Sequence, residues 1–391
     1  MSARLNKVTF LTVHSWVSNR QGGFHKFAEA CCSAGAEVVF FSFPRPYYSM
    51  LQHQELYNRK AIAALAKGIR YEVAGSTLTN VTLPTLKLPD VAGKRIPDAA
   101  ADALERFSFG GLARFARRYL SGTDVFVIES CGAVVLFEFL KKRFPEAKFI
   151  YRPSDPLMYD GALRRRAKAE ERVMLGADMS LIVNDEGLAL YRRKIAQFDT
   201  RVRHELLPNG VDIAPYREKH PVPELLRREN TVLYVGAWEV EWDLLFEATA
   251  RRRDFNYIVV CPNFPDGTTR GKIEGIPNLA YVPGIKPDEV PAWITNCDVV
   301  MVPYVTDFYK NRPLGITAKY YQAMAAGKPI VAYCDTPKLA NAGVTVTYEY
   351  EDFMRAVEEA MRRHEVRYEF DLTSREWPRI TQRFLEIARG L

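Results

Sequence analysis

Residues 302–331 read VPYVTDFYKNRPLGITAKYYQAMAAGKPIV, and a change of period inside them decides the fold. The apolar run ending at Tyr304 has the length and content of a buried strand. A polar loop with Asp307, Lys310 and Arg312 follows. Gly315-Ile316-Thr317 then opens a helical pattern that carries Lys319 in its first turn and Gln322 a turn on. Gly327-Lys328-Pro329 stops that helix, and Ile330–Ala332 starts a second strand. Strand, helix and strand in about 30 residues form a parallel βαβ unit.

The same rhythm extends upstream. Strands are expected at Val232–Val235, Tyr257–Val260, Leu279–Val282 and Val299–Val302, with helices at Pro287–Thr295, Thr317–Ala326 and Phe353–Arg363. An earlier series has strands at Val8–Val13, Glu37–Phe43, Val125–Glu129, Lys148–Arg152, Met179–Val183 and Glu205–Leu207. Helices at Phe24–Ala34, Ala133–Arg143, Gly161–Leu175 and Glu186–Ala196 lie between them. Alternation of this kind implies parallel sheets covered on both faces. Its restart after Pro208-Asn209-Gly210-Val211-Asp212 predicts an α/β chain of two Rossmann-like, doubly wound domains facing a central cleft. The expected divisions are 1–210, 211–375 and a C-terminal helix, 376–391, packing back towards the first domain.

Composition narrows the function classes. The chain has 391 residues, 48% hydrophobic and 26% charged, as an ordinary globular protein has. No apolar run approaches the ~18 residues of a spanning helix. The N-terminus enters a strand pattern without a signal-peptide signature, so a cytoplasmic protein is expected. The six cysteines (31, 32, 131, 261, 297 and 334) have no CxxC spacing and the six histidines no HExxH. They read as reduced, buried thiols with no metal site and no cofactor. Residues 1–207 hold 31 Lys+Arg against 21 Asp+Glu, and residues 208–391 hold 23 against 26. The basic half suits a polyanionic surface, either nucleic acid or anionic lipid. No helix-turn-helix, zinc-finger, RRM or KH signature supports nucleic acid.

In open α/β sheets, ligands bind outside the carboxyl ends of the strands, so the loops there are where chemistry is sought. Tyr151-Arg152-Pro153-Ser154-Asp155-Pro156 leaves a strand directly, and two prolines stiffen it. Asp155 is a general base or a turn cap paired with Arg152. Gly236-Ala237-Trp238 allows close backbone approach to a ligand, with Trp238 either shielding it or joining the core. Around Thr317, Ala318 and Lys319, free N–H groups, a positive helix dipole end and an ammonium suit a diphosphate; the bland alternative is an ordinary crossover with a surface Lys. In 104–120, Leu104, Phe107, Leu112, Phe115 and Tyr119 recur at helical spacing with Arg106, Arg114, Arg117 and Arg118 between them. Gly110-Gly111 splits the segment, and Lys87, Lys94 and Arg95 precede it. Either it lies on an anionic membrane, or its aromatics are core and its arginines solvated.

The PNGVD linker and the KYYQAMAAGKPIV block resemble the GT-B glycosyltransferases, with Gln322 where Glu is usual in the retaining subfamily. The stretch from Val127-Ile128-Glu129-Ser130 through Tyr151-Arg152-Pro153-Ser154-Asp155 resembles the membrane-associated glucuronosyltransferase family of xanthan assembly. That resemblance makes Asp155 the base and Tyr304, Lys319 and Gln322 nucleotide contacts. It sets His14, Glu129 and Arg152 on the acceptor side, and replaces a Met of the family by Trp238 and another by Ala318. Lys310 and Arg312 become candidates for a sugar carboxylate. It implies an inverting, metal-independent transfer of glucuronic acid from a UDP-sugar to a polyprenyl-diphosphate-linked oligosaccharide. The enzyme would sit at the inner face of the plasma membrane, with Arg106, Phe107, Arg114, Phe115, Arg117 and Arg118 as membrane contacts. The alternatives are transfer from another UDP-sugar, a UDP-sugar 2-epimerase and an inactive scaffold.

Overall fold

The structure is a computed structural model that describes residues 4–18, 21–43, 59–83, 97, 100, 110–159, 162–237, 239–263, 265–306, 315–363 and 365–391. These divide into two compact units, Met1–Pro208 with Pro378–Leu391, and Asn209–Trp377.

In the first unit the elements run β1 (Lys7–Thr12), α1 (Gly23–Ser33), β2 (Glu37–Ser42), α2 (Arg59–Lys67), β3 (Ile69–Val73), β4 (Ser76–Val81) and α3 (Leu112–Phe115). They continue β5 (Val125–Glu129), α4 (Phe137–Arg143), β6 (Lys148–Arg152), α5 (Arg164–Gly176), β7 (Met179–Ile182), α6 (Asp185–Lys194), α7 (Phe198–Arg201) and β8 (His204–Leu206). The strands form one sheet in the order β3-β4-β2-β1-β5-β6-β7-β8. All pairings are parallel except β3 with β4. Strands covered on both faces are apolar throughout, as in β5, where every residue is buried. The β3–β4 hairpin was not expected from the sequence. STLTNV lacks the bulky apolar residues that mark a strand, and the turn is Ala74-Gly75. Both residues have positive φ, 48° and 80°, the pattern of a two-residue hairpin turn.

The second unit contains β9 (Thr231–Val235), α8 (Trp242–Arg251), β10 (Asn256–Val260), α9 (Gly267–Glu274), β11 (Leu279–Val282), α10 (Val290–Asn296) and β12 (Val299–Pro303). Then come α11 (Ala318–Ala325), β13 (Ile330–Tyr333), β14 (Thr345–Thr347) and α12 (Tyr350–Met361), and the following α13 (Trp377–Arg389) belongs from Pro378 on to the first unit. The second unit's six strands are all parallel, in the order β11-β10-β9-β12-β13-β14. Helix α13 runs on from here into the first unit. There the Phe384 ring lies 4.5 Å from that of Phe27, and Arg383 pairs with Glu205 at 2.7 Å.

The division falls at 208/209, two residues before the expected position, for a physical reason. Val211 forms a parallel bridge with Glu376, and its N–H donates to Arg375 O at 2.8 Å. Gly210 lies so close to the Trp377 ring that a Cβ would meet it at 2.5 Å. The two chain crossings are thereby tied together inside the second unit. The helix expected over 133–143 starts as a 3₁₀ turn, Gly132–Leu136, before α4.

Candidate active site

Each sheet reverses its winding once. In the first the strand order departs both ways from β1, and β1 and β5 are neighbours. In the second it departs from β9, with β12 alongside. These switch points are where doubly wound sheets bind ligands, and the sequence-derived candidates gather at both.

At the second unit's switch point, Gly236 and Ala237 leave β9 and Tyr304 leaves β12. The Lys319 ammonium donates to the Tyr304 hydroxyl at 2.5 Å. It lies 4.7 Å from the centre of the Tyr304 ring and 5.1 Å from that of Tyr234, both tyrosines being fully buried. Lys319 sits in the first turn of α11, whose Thr317 is the N-cap. Burial pulls its pKa down to about 8, against the opposing pull of Asp335 and Cys261. Asp335 is itself buried and accepts from the Tyr320 hydroxyl and the Thr336 N–H. An ammonium cushioned on two aromatic faces at a helix N-terminus suits an anion. A Cβ on Gly236 would sit 2.4 Å from the Tyr234 hydroxyl and 3.0 Å from Lys319 Nζ, so only glycine fits there. Gln322 hydrogen-bonds the Tyr216 side chain. Trp238, Lys310 and Arg312 lie outside the described residues.

At the first unit's switch point, Glu129 ends β5 and is buried. It accepts from Thr12 Oγ1 at 2.6 Å, Val13 N–H at 3.0 Å and Ser154 Oγ at 2.9 Å. His14 Nε2 stands 3.6 Å away. Burial alone would raise the Glu129 pKa, but the nearby His14 and the bonds from Thr12 and Val13 prevail and hold it below the usual range. Arg152 is 1% exposed. It donates to Leu181 O at 3.2 Å, and its guanidinium lies 5.2 Å from the Phe27 ring centre. Burial lowers its pKa to about 9 against the pull of Glu129. Arg152 and Glu129 thus form the charged floor of the site, with 1% and 3% of their surface exposed, which counts against the direct acceptor contact expected of them.

Asp155 is exposed on the loop after β6. Three bonds pin that loop. Ser154 reaches Glu129, the Asp155 N–H donates to Ser130 Oγ at 3.1 Å, and the Leu157 N–H donates to Glu170 at 2.9 Å. Glu170, on α5, is fully buried and also accepts from the hydroxyls of Tyr151 at 2.6 Å and Tyr191 at 2.7 Å. Burial raises its pKa despite those bonds. The sequence reading missed Glu170 because it sits among RRRAKAEER, which reads as a solvated face. The available signal was its spacing three and four residues before Val173 and Met174, on the apolar side. Tyr234, Asp335 and Tyr216 were missed too. They are polar groups inside strands or loops, with no periodic mark.

In segment 110–120, Arg114, Arg117 and Arg118 are exposed. Phe115 is 6% exposed, with its ring 4.7 Å from Phe41 and 5.2 Å from Tyr119. Phe115 is therefore a core residue, which corrects its expected membrane contact. Arg106 and Phe107 lie outside the described residues. Among the described residues no helix is long and apolar enough to cross a membrane. The six cysteines are buried and none forms a disulfide.

Residues 10–183 match the family model of the N-terminal domain of glucuronosyltransferase GumK, and residues 229–363 that of glycosyl transferases group 1. A protein of Bacillus subtilis strain 168 named as teichuronic acid biosynthesis glycosyltransferase TuaH is 25% identical over 174 residues. The match covers 41% of this chain and 43% of that protein, so it spans under half of the relative. Sucrose-phosphate synthase from Thermosynechococcus elongatus superposes with a TM-score of 0.65 at 14% identity, over 98% of this chain and 94% of that one. The UDP-forming α,α-trehalose-phosphate synthase of Burkholderia vietnamiensis gives 0.68 at 12% identity, over 100% of each. Anabaena Alr3699/HepE, solved in complex with UDP, gives 0.60 at 13% identity, over 98% and 100%. At these identities the structural likeness is one of fold. The chain thus matches a GumK-type N-terminal domain followed by a group 1 glycosyltransferase domain, and its fold is that of the GT-B glycosyltransferases.

Proposed function

We propose that the protein is an inverting, metal-independent glycosyltransferase of bacterial exopolysaccharide assembly. It moves glucuronic acid from UDP-glucuronic acid to a polyprenyl-diphosphate-linked oligosaccharide at the inner face of the plasma membrane. The observation that carries the reading is an exposed carboxylate, Asp155, on a loop pinned at three points in a domain of the GumK family. In a single displacement the acceptor oxygen bonds to the anomeric carbon as the bond to UDP breaks. The acceptor proton passes to Asp155, and the electron pair leaves with UDP. Charge building on the diphosphate meets Lys319, the N–H groups opening α11 and the bare backbone of Gly236. The UDP held by Anabaena Alr3699/HepE, a protein of the same fold, is consistent with a uridine nucleotide here. Glucuronate rests on the GumK-type domain and on resemblance, and Lys310 and Arg312 are offered as its carboxylate partners. Membrane attachment rests on the exposed Arg114, Arg117 and Arg118 of a strongly basic half, with Phe115 no longer part of it.

The test is turnover against a panel of UDP-sugars, with and without a polyprenyl-diphosphate-linked oligosaccharide in detergent. Asp155→Asn keeps the loop but not the proton acceptor. It is expected to lower kcat by roughly 10² or more and to leave UDP affinity unchanged. Near-full transfer by Asp155→Asn would sink the base assignment. Sugar release without acceptor would favour the epimerase.

A further inference from the structure

We infer that Glu170 is the positioning residue of the catalytic loop, aiming Asp155 by holding the backbone two residues beyond it. The inference rests on the reading of Asp155 as base. The geometry is specific. Asp155 lies between Pro153 and Pro156, whose φ angles are fixed, so its direction follows from where the loop's ends are held. Glu129 and Ser130 hold the upstream side, through Ser154 Oγ and the Asp155 N–H. Downstream, the holder is Glu170, whose carboxyl accepts the Leu157 N–H.

Glu170 is itself fixed from two further elements, by Tyr151 on β6 and Tyr191 on α6. All three partners donate to the Glu170 oxygens. Its helical neighbours Ala169, Val173 and Met174 are apolar and buried, so packing alone would be served by an apolar side chain without the cost of burying a carboxyl. A polar acceptor is needed there to satisfy the loop N–H and to tie it to two buried hydroxyls. Tyr151 precedes Arg152 in the strand that launches the loop, so one side chain ties the loop's root to its far end.

The test is steady-state kinetics with UDP-glucuronic acid and a polyprenyl-diphosphate-linked oligosaccharide, on Glu170→Ala, Glu170→Gln, Asp155→Asn and the double variant Asp155→Asn with Glu170→Ala. Misplacing a reacting group by about 1 Å can cost 10²-fold, so Glu170→Ala is expected to lower kcat at least tenfold, with KM for the donor within about twofold. Glu170→Gln should recover to within about threefold of wild type, because the tyrosine hydroxyls can turn to accept its amide while its oxygen keeps the Leu157 bond. A residue acting through Asp155 adds nothing once the base is gone, so the double variant should be no slower than Asp155→Asn. Amide hydrogen exchange over 154–159 should rise in Glu170→Ala and stay near wild type in Glu170→Gln, a readout that needs no substrate. The inference is overturned if Glu170→Ala keeps kcat within twofold, if Gln does no better than Ala, or if the double variant loses a further factor. An active Asp155→Asn would instead overturn the base itself, and active Glu170→Ala beside inactive Asp155→Asn the positioning role alone.

Discussion

Gly236→Ala probes the anion site with one methyl group. Gly236 is not among the residues with positive φ, so its backbone accepts alanine and the only obstacle is space. The new Cβ would lie 2.4 Å from the Tyr234 hydroxyl, 2.6 Å from its Cζ and 3.0 Å from Lys319 Nζ, where relaxed contacts are about 3.5–4.0 Å. Something must yield by about 1 Å. Tyr234 is fully buried in the sheet, so the loop after β9 and the Lys319 ammonium are expected to take up the strain. Overpacking of this kind costs about 1–3 kcal/mol, and at roughly 2–4 °C per kcal/mol the melting temperature should fall by roughly 2–12 °C. A displaced ammonium loses a charge-assisted contact to the diphosphate, worth about 1.5–3 kcal/mol, so the Kd for UDP should rise by roughly 10–150-fold. Gly267→Ala is the control: nothing lies within 4 Å of its Cβ, and the variant should melt at or slightly above wild type. Scanning calorimetry and UDP titration measure both quantities. Wild-type UDP affinity in Gly236→Ala would refute the placement of the diphosphate beside Gly236 and Lys319.

Lys319→Ala should weaken UDP binding by about 1.5–3 kcal/mol, and unchanged affinity would remove Lys319 from the site. The lowered pKa of Lys319, about 8, means the unfolded chain holds this proton to higher pH than the folded one. Its contribution to stability is therefore unfavourable below pH 8 and is relieved as pH rises from about 8 towards the ordinary lysine value of 10.5. Bound diphosphate favours the protonated form, so UDP affinity should fall above pH 8 with proton uptake on binding. Calorimetry in buffers of different ionisation enthalpy reads that uptake, and its persistence in Lys319→Ala would assign it elsewhere. Arg152→Met strips buried Glu129 of its neighbouring cation and should cost about 3–5 kcal/mol, read by urea unfolding; a cost under about 1 kcal/mol would contradict the charged floor. Replacing Arg114, Arg117 and Arg118 by Glu should abolish salt-sensitive sedimentation with anionic vesicles while UDP binding stays intact. Wild type that ignores anionic vesicles would end the membrane proposal.

Strand positions were legible because parallel strands buried on both faces are short apolar runs with no competing reading. The expected Val125–Glu129, Lys148–Arg152 and Leu279–Val282 coincide with β5, β6 and β11. Elements without that mark were not legible: the polar β3–β4 hairpin, β14, and helices α8 and α9. The candidate site was legible where a residue follows a strand end, as His14, Asp155, Gly236 and Tyr304 do, because topology alone puts such residues at the ligand-binding edge.

The apolar period, the turn residues and the motif spacing by themselves determined the doubly wound class, the restart after the Pro208–Asp212 linker and the residue types at the strand ends. Tertiary structure alone decided which of those side chains face solvent. Arg152 and Glu129 read as ligand contacts in one dimension, yet both lie buried beneath the loop. Phe115 reads as a membrane anchor, yet it fills a gap beside Phe41. Glu170 reads as surface, yet three donors from β6, α6 and the Asp155 loop converge on it. The reason is physical: periodicity reports which way a residue points from its own element, whereas burial of a charge depends on partners supplied by other elements, brought to it only by the packing of the whole unit.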